Sequence, residues 1–198
     1  MPRLQSEAAE ARDEVVGPPN SARAVFLDRD GVIVTPEFRD GRSFAPKTLD
    51  AFHLYESAPE CLRSLKQAGF LLVVVTNQPD IGKGEIAPAT LDEMHRRMRE
   101  ALPIDDVRVC THTREDGCAC RKPRPGMLLA AAEALGIALD RSFMIGDRES
   151  DVAAGRAAGC RTIFIDLDYA AEPKPRDAHF WVRSLEQATA CILAQPRE

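Results

Sequence analysis

The segment Phe70–Val75 is an unbroken run of six apolar residues that is rich in valine and leucine. Such a run is typical of a strand buried on both faces at the centre of a parallel sheet. Shorter apolar runs at Ala24–Leu27, Ser142–Ile145 and Arg161–Ile165 predict further strands. Because parallel strands need crossover connections, the chain must place helices between these runs.

Segments with helical periodicity do lie between the predicted strands. We expect helices over Ala58–Ala68, Pro88–Leu102, Pro125–Leu135, Glu149–Ala158 and Ser184–Leu193, and short strands at Val107–Cys110 and Phe180–Val182. Ser184 is a good N-cap for the last helix. The stretches Thr35–Leu54 and Thr76–Ala87 contain proline and glycine and are expected to be irregular. This alternation predicts an α/β fold, a Rossmann-like three-layer sandwich with a mostly parallel sheet.

Length and composition are those of one globular domain. The chain has 198 residues, of which 44% are hydrophobic and 29% charged, and its net charge is −5. That charge gives no basis for binding nucleic acid or an anionic membrane, and no run approaches the ~18 apolar residues of a membrane span. Without an apolar signal core near the N-terminus, we expect a cytoplasmic monomer. Residues 1–20 are expected to form a disordered or weakly helical tail, and residues 21–198 the domain.

Four polar clusters lie at the ends of predicted strands or before a predicted helix. They are Asp28-Arg29-Asp30-Gly31, Thr76-Asn77-Gln78, Arg121-Lys122-Pro123 and the run from Gly146 to Asp151. Phosphoryl transfer needs a nucleophile, a hydroxyl, a cation and metal-binding carboxylates. Asp28, Thr76, Lys122 and Asp147 supply these groups in turn. Each cluster alone could be a turn, a helix cap or a solvated loop, but their combination favours a phosphate site.

A second chemical signal lies just before Arg121. Cys110-x-His112 and Cys118-x-Cys120 place three thiols and one imidazole within eleven residues. The alternative is a chance grouping of thiols beside a surface histidine. We favour a structural Zn²⁺ site, because four protein ligands leave no open position for catalysis. Such a site would fix the loop that ends at Cys120, directly before Arg121 and Lys122. Cys61, Cys160 and Cys191 are expected to be core residues, and His53, His95 and His179 are given no role.

The four polar clusters resemble the motifs of the haloacid dehalogenase (HAD) superfamily of phosphohydrolases. The resemblance extends from about Arg23 to Ile165. Together with the cysteine pattern, they are similar to the branch that holds D-glycero-D-manno-heptose 1,7-bisphosphate phosphatases and histidinol-phosphate phosphatases. The resemblance implies Mg²⁺-dependent hydrolysis of a small phosphorylated metabolite through a phosphoaspartate intermediate. The chain departs from this branch at Val32, where threonine is common, and at Val34. No insertion is large enough to form a cap domain, so we expect an open cleft.

The resemblance also implies roles for individual residues. Asp28 is the expected nucleophile, and Asp30 is the expected general acid and base. Mg²⁺ is expected to bind Asp28, the backbone carbonyl of Asp30, and Asp147. The phosphoryl group would bind Thr76 and Lys122, and Asp151 would support Lys122 or a metal-bound water. The rest of the substrate is expected to contact Asn77, Gln78, Arg121 and Arg148.

Two substrates and one further class of function stay open. Only five residues separate His112 from Cys118, and this short loop favours histidinol phosphate. The stretches Lys122–Met127 and Gln78–Gly84 are more similar to the heptose group, and we therefore favour D-glycero-D-manno-heptose 1,7-bisphosphate, cleaved at its 7-phosphate. The other class is a phosphate-binding module without turnover. The full set of catalytic residue types argues against that class.

Overall fold

The main sheet has six parallel strands. The computed structural model describes residues 21–196. The strands of the chain are β1 (Arg23–Leu27), β2 (Glu37–Arg39), β3 (Arg42–Phe44), β4 (Phe70–Asn77), β5 (Asp106–Cys110), β6 (Phe143–Gly146), β7 (Arg161–Ile165) and β8 (Phe180–Val182). Six of them pair in the order β5-β4-β1-β6-β7-β8, and every pairing in that sheet is parallel. β2 and β3 form a separate antiparallel ribbon.

Helices cover both faces of the main sheet. They are α1 (Ala58–Gln67), α2 (Pro79–Gly82), α3 (Pro88–Ala101), α4 (Gly126–Leu135), α5 (Glu149–Ala158) and α6 (Leu185–Leu193). One apolar cluster joins Val25 of β1 to α1, α3 and α6, and a second joins Phe26 to α4 and α5. Successive side chains of a strand point to opposite faces, so β1 contributes to both cores. The result is the three-layer sandwich that the sequence predicts.

Most predicted elements are confirmed, with small shifts at their ends. Thr76 and Asn77 lie inside β4 rather than after it, because the strand continues its pairing to Val109 and Cys110 of β5. The stretch expected to be irregular after β1 contains the β2–β3 ribbon. A short helix, α2, lies in the loop predicted after β4. The predicted tail at residues 1–20 lies outside the described residues, and none of the helices described is long and apolar enough to cross a membrane.

Candidate active site

Three buried carboxylates meet at the carboxyl edge of the main sheet. Asp28 directly follows β1, Asp147 directly follows β6, and Asp151 lies in the first turn of α5. Each offers an oxygen atom, and these atoms lie within 4.8 Å of one another. The three residues are only 6%, 1% and 1% exposed. Because β1 and β6 are neighbours, their ends bring the first two carboxylates together without a long loop.

Lys122 supplies a positive charge to this carboxylate cluster. Its Nζ atom donates to Oδ1 of Asp28 at 2.7 Å and to the carbonyl oxygen of Val75 at 2.8 Å, and it lies 2.7 Å from Oδ1 of Asp151. Burial alone would lower the pKa of Lys122, but the two carboxylates outweigh it and raise that pKa. The ammonium group therefore stays charged in the protein interior. The expected support of Lys122 by Asp151 agrees with this contact.

The donor set fits a divalent cation, because one lysine cannot balance three carboxylates. Oδ1 of Asp147 is buried and has no hydrogen-bond partner. Burial and the charges of Asp28 and Asp151 raise the pKa of Asp147 well above its usual range. Buried carboxylates of this kind are stable only when paired, protonated or bound to a metal, and oxygen ligands suit Mg²⁺. The residues are consistent with the predicted magnesium site.

Asp30 lies beside this cluster and is held by two neighbours. The guanidinium of Arg29, which is fully buried, donates to both carboxylate oxygens of Asp30 at 3.0 and 2.9 Å. The Gln78 amide donates at 2.8 Å to Oδ2 of Asp30 and at 2.8 Å to Oγ1 of Thr76. Burial raises the pKa of Asp30, and the charge of Arg29 opposes that rise. Thr76, as acceptor from Gln78, keeps its hydroxyl proton available for a ligand.

Two of the residues predicted to contact substrate have their amide groups engaged within the protein. Gln78 is 1% exposed and joins Asp30 to Thr76. The Asn77 side chain forms two hydrogen bonds of 3.1 Å with the backbone of Lys122, donating to its carbonyl group and accepting from its N–H. These amides position the catalytic candidates, because they tie β4 to Asp30 and to the Lys122 loop.

The other two, Arg121 and Arg148, line an open cleft of about 460 Å³, which Asn77 also lines. Arg121 donates at 3.1 Å to the carbonyl oxygen of His112. Arg148 donates to the carbonyl and hydroxyl oxygens of Ser43 at 2.6 and 2.7 Å and pairs with Glu172 at 3.1 Å. Arg148 thereby fixes the β2–β3 ribbon against the cleft. Asp28, Asp30 and Lys122 line the same cleft.

The four predicted zinc ligands converge next to this cleft. Their Sγ and Nδ1 atoms are 3.2 to 3.6 Å apart in the pairs that touch, for example 3.2 Å between Cys120 and Cys110. A tetrahedron with 2.3 Å metal–sulfur bonds has edges of about 3.8 Å, so the spacing fits zinc. Cys110 is the last residue of β5, the other three ligand candidates lie between β5 and α4, and Cys120 directly precedes Arg121.

Sequence analysis missed four residues that shape the site. Arg29 holds Asp30, Ser43 and Glu172 hold Arg148, and the Tyr169 hydroxyl donates to Oδ2 of Asp147 at 2.6 Å. Arg29 could have been suspected, since it lies between two motif carboxylates. The other three come from the β2–β3 ribbon and the loop before β8, where the sequence carries no motif.

Comparisons with known proteins agree with this geometry. A family model described as HAD-hydrolase-like matches residues 119–187. A protein of Pseudomonas aeruginosa named D-glycero-beta-D-manno-heptose-1,7-bisphosphate 7-phosphatase is 37% identical over 150 residues, which cover 73% of this chain and 82% of the relative. The protein of the same name from Escherichia coli K12 is 33% identical over 191 residues, covering 89% and 97%.

A solved structure gives the same assignment. It is D,D-heptose 1,7-bisphosphate phosphatase from B. bronchiseptica, complexed with magnesium and phosphate, with a TM-score of 0.74 and 28% identity. The alignment covers 86% of this chain and 98% of that chain. The resemblance found in the sequence motifs is thus confirmed over most of the fold. The chain is a phosphatase of the HAD superfamily and belongs to the D-glycero-beta-D-manno-heptose-1,7-bisphosphate 7-phosphatase family.

Proposed function

We propose that the protein removes the 7-phosphate of D-glycero-beta-D-manno-heptose 1,7-bisphosphate through a phosphoaspartate at Asp28. The observation that carries this proposal is the Asp28 carboxylate, held by Lys122 beside Asp147 and facing an open cleft. The relatives named for this activity support the choice of substrate.

In the first half-reaction, an Asp28 carboxylate oxygen attacks the phosphorus atom and the bond to the sugar oxygen breaks. Asp30 gives its proton to that leaving oxygen. Lys122 and the Thr76 hydroxyl donate hydrogen bonds to oxygens of the transferring phosphoryl group. One of these oxygens takes the place of a present acceptor of the Lys122 ammonium group, such as Oδ1 of Asp28. Their donors are already in place, so little reorganisation accompanies the development of charge.

In the second half-reaction, Asp30 takes a proton from water, and the water oxygen attacks the phosphorus atom of the intermediate. The bond to Asp28 breaks, and inorganic phosphate leaves. Gln78 orients Asp30 in both steps through its 2.8 Å hydrogen bond. Arg29 keeps the carboxylate near the cleft when it is ionised, since it donates to both oxygens.

We assign the two expected metals to separate groups of residues. Asp28, Asp147 and the backbone carbonyl of Asp30 would hold Mg²⁺, which neutralises negative charge on the phosphoryl group when bound. Cys110, His112, Cys118 and Cys120 would hold Zn²⁺ as a structural ion. Four protein donors would fill the coordination of the Zn²⁺ ion, which would leave no position for substrate or water. The ion would therefore affect the reaction only by fixing the positions of Arg121 and Lys122.

The charge of the cleft favours a bisphosphate over histidinol phosphate. Six cationic side chains line the cleft, against four carboxylates. The cations are Lys83, Arg114, Arg121, Lys122, Arg124 and Arg148, and the carboxylates are those of Asp28, Asp30, Asp80 and Asp151. Arg121 and Arg124 donate to backbone carbonyl groups. Because these acceptors are neutral, they do not compensate the positive charges of the two arginines. A second phosphate group would bind such a surface, whereas the ammonium group of histidinol phosphate would be repelled.

The decisive experiment is a steady-state comparison of Mg²⁺-dependent phosphate release. The substrates are the beta and alpha anomers of the heptose bisphosphate and histidinol phosphate, with Asp28→Asn as the inactive control. We expect the largest kcat/KM for the beta anomer. A larger value for histidinol phosphate would overturn the substrate proposal. Binding of all three without phosphate release would instead identify a non-catalytic phosphate-binding module.

A further inference from the structure

The hydroxyl group of Tyr169 contacts a carboxylate of the predicted magnesium site. It donates to Oδ2 of Asp147 at 2.6 Å, and both residues are buried, at 5% and 1% exposure. Tyr169 belongs to residues 166–179, which connect β7 to β8 and which we call the Tyr169 segment. No motif used to assign the site includes this segment.

This hydrogen bond restricts how Asp147 can turn. With Oδ2 held by the hydroxyl group, Oδ1 is the oxygen that remains buried without a partner. The backbone of Gly31 packs closely against the same group, because a Cβ atom there would lie 2.1 Å from Oδ2 of Asp147 and 3.0 Å from the Tyr169 hydroxyl oxygen. Glycine is also suited to the φ of +90° at this position. The carboxylate is therefore confined from two sides.

The Tyr169 segment is itself fixed to the β2–β3 ribbon that lines the cleft. The rings of Tyr169 and Phe38 lie 5.3 Å apart, and the Ala171 N–H donates to the Gly41 carbonyl oxygen at 3.1 Å. Glu172 accepts from the Ser43 N–H at 3.2 Å and pairs with Arg148. The position of the tyrosine hydroxyl thus depends on contacts with the ribbon as well as on its own loop.

From this geometry we infer that Tyr169 is a positioning residue for Mg²⁺: it orients Asp147 so that one carboxylate oxygen is free for the ion, and the Tyr169 segment joins the ion site to the ribbon that lines the cleft. The inference rests on the proposed role of Asp147 as a magnesium ligand. Groups that orient metal ligands typically change metal affinity by 10- to 100-fold when removed.

Calorimetric titration of the folded protein with Mg²⁺ alone tests this inference without any measurement of activity. Tyr169→Phe removes the hydroxyl group and keeps the ring against Phe38, and it should raise the Kd for Mg²⁺ about 10-fold. Tyr55→Phe is the matched control, because Tyr55 is the other tyrosine of the chain, is half-buried and lies within electrostatic range of Asp147 without donating a hydrogen bond to it. It should leave the Kd within about twofold of the wild-type value. An unchanged Kd in Tyr169→Phe overturns the inference.

Asp147→Asn separates this inference from the proposal on which it rests. If the wild-type protein binds Mg²⁺ and Asp147→Asn binds it equally well, the assignment of Asp147 as a ligand is wrong. If Asp147→Asn loses binding while Tyr169→Phe does not, the ligand assignment stands and the positioning role fails. Loss of Mg²⁺ binding in Asp147→Asn, together with an about 10-fold higher Kd in Tyr169→Phe, supports both the ligand assignment and the positioning role.

A spectroscopic measurement covers the case in which Tyr169→Phe does not fold. Incorporation of 3-fluorotyrosine gives two ¹⁹F resonances, since the chain has two tyrosines, and Tyr55→Phe assigns them. Addition of Mg²⁺ should shift the Tyr169 resonance along the calorimetric binding curve, and by more than that of Tyr55, which does not donate a hydrogen bond to Asp147. A Tyr169 resonance that stays in place at saturating Mg²⁺ contradicts the inference.

Discussion

The Nζ atom of Lys122 lies 2.7 Å from Oδ1 of Asp28, in an ion pair whose side chains are 2% and 9% exposed. The lysine reaches this point because the Asn77 side chain holds its backbone through two hydrogen bonds. The nucleophile candidate reaches it because β1 ends at Leu27. The pair is therefore assembled from two parts of the fold that are distant in sequence, and its first role is to orient the nucleophile candidate.

Asp28→Asn should abolish turnover without weakening the fold. Loss of a catalytic nucleophile typically lowers kcat by about 10⁴-fold or more. Lys122 keeps Asp151 as a partner, and one of three mutually repelling carboxylates disappears. We therefore expect a Tm in chelator equal to or above the wild-type value. Phosphate release and thermal unfolding measure the two effects, and activity within tenfold of wild type would exclude the covalent mechanism.

Gln78→Glu should lower kcat and leave KM nearly unchanged. The substitution replaces an N–H donor to Asp30 and Thr76 by an acceptor and adds a negative charge beside the general acid. Misplacing an acid–base group costs about 10²-fold in rate. Gln195→Glu makes the same chemical change at a glutamine that bonds to Cys191, and it should have no effect on kcat. A raised KM with normal kcat would mean that Gln78 contacts substrate after all.

Removal of zinc should destabilise the protein and impair the phosphate site together. We expect about one zinc per chain by elemental analysis, and its loss in Cys118→Ser. If the ion stabilises the fold by even ~2 kcal/mol, its loss lowers Tm by roughly 5 °C in a chain of this size. Cys191→Ser is the control, because this half-buried thiol lies outside the ligand cluster. Full activity in folded, zinc-free protein would rule out a role in placing Lys122.

The sequence predicted the sheet, the helices and the groups of residues that converge, because each depends on local patterns. Phe70–Val75 predicts a buried strand by its apolar run, and the spacing from Cys110 to Cys120 predicts the convergence of three thiols and one imidazole. Local patterns could not predict which polar residues contact the substrate and which ones hold other side chains in place. Gln78 is buried between Asp30 and Thr76, and Asn77 binds the Lys122 backbone at the edge of the cleft. Both positions depend on how far β4 pairs with β5. Tyr169 approaches Asp147 through a loop without any periodic pattern.

Acidification should destabilise the protein in part through His95. Its Nε2 accepts from the buried Arg29 guanidinium, at 3.3 Å. Burial and the charges of Arg29 and Arg99 lower the pKa of His95 to about 4, below its ordinary value of 6.5. Between these values the unfolded chain binds a proton that the folded chain does not, so stability falls as the pH falls.

From pH 7 to pH 5, this difference amounts to a loss of roughly 1–2 kcal/mol in the free energy of unfolding. The measurement is urea unfolding of the wild type and of His95→Gln, which keeps an acceptor for Arg29 but does not titrate. The stability advantage of the wild type over His95→Gln should shrink by that amount at pH 5. His53→Gln, at an exposed histidine, should keep the full wild-type pH dependence. Equal pH dependence in the wild type and His95→Gln would show that burial and the charge of Arg29 do not hold His95 neutral.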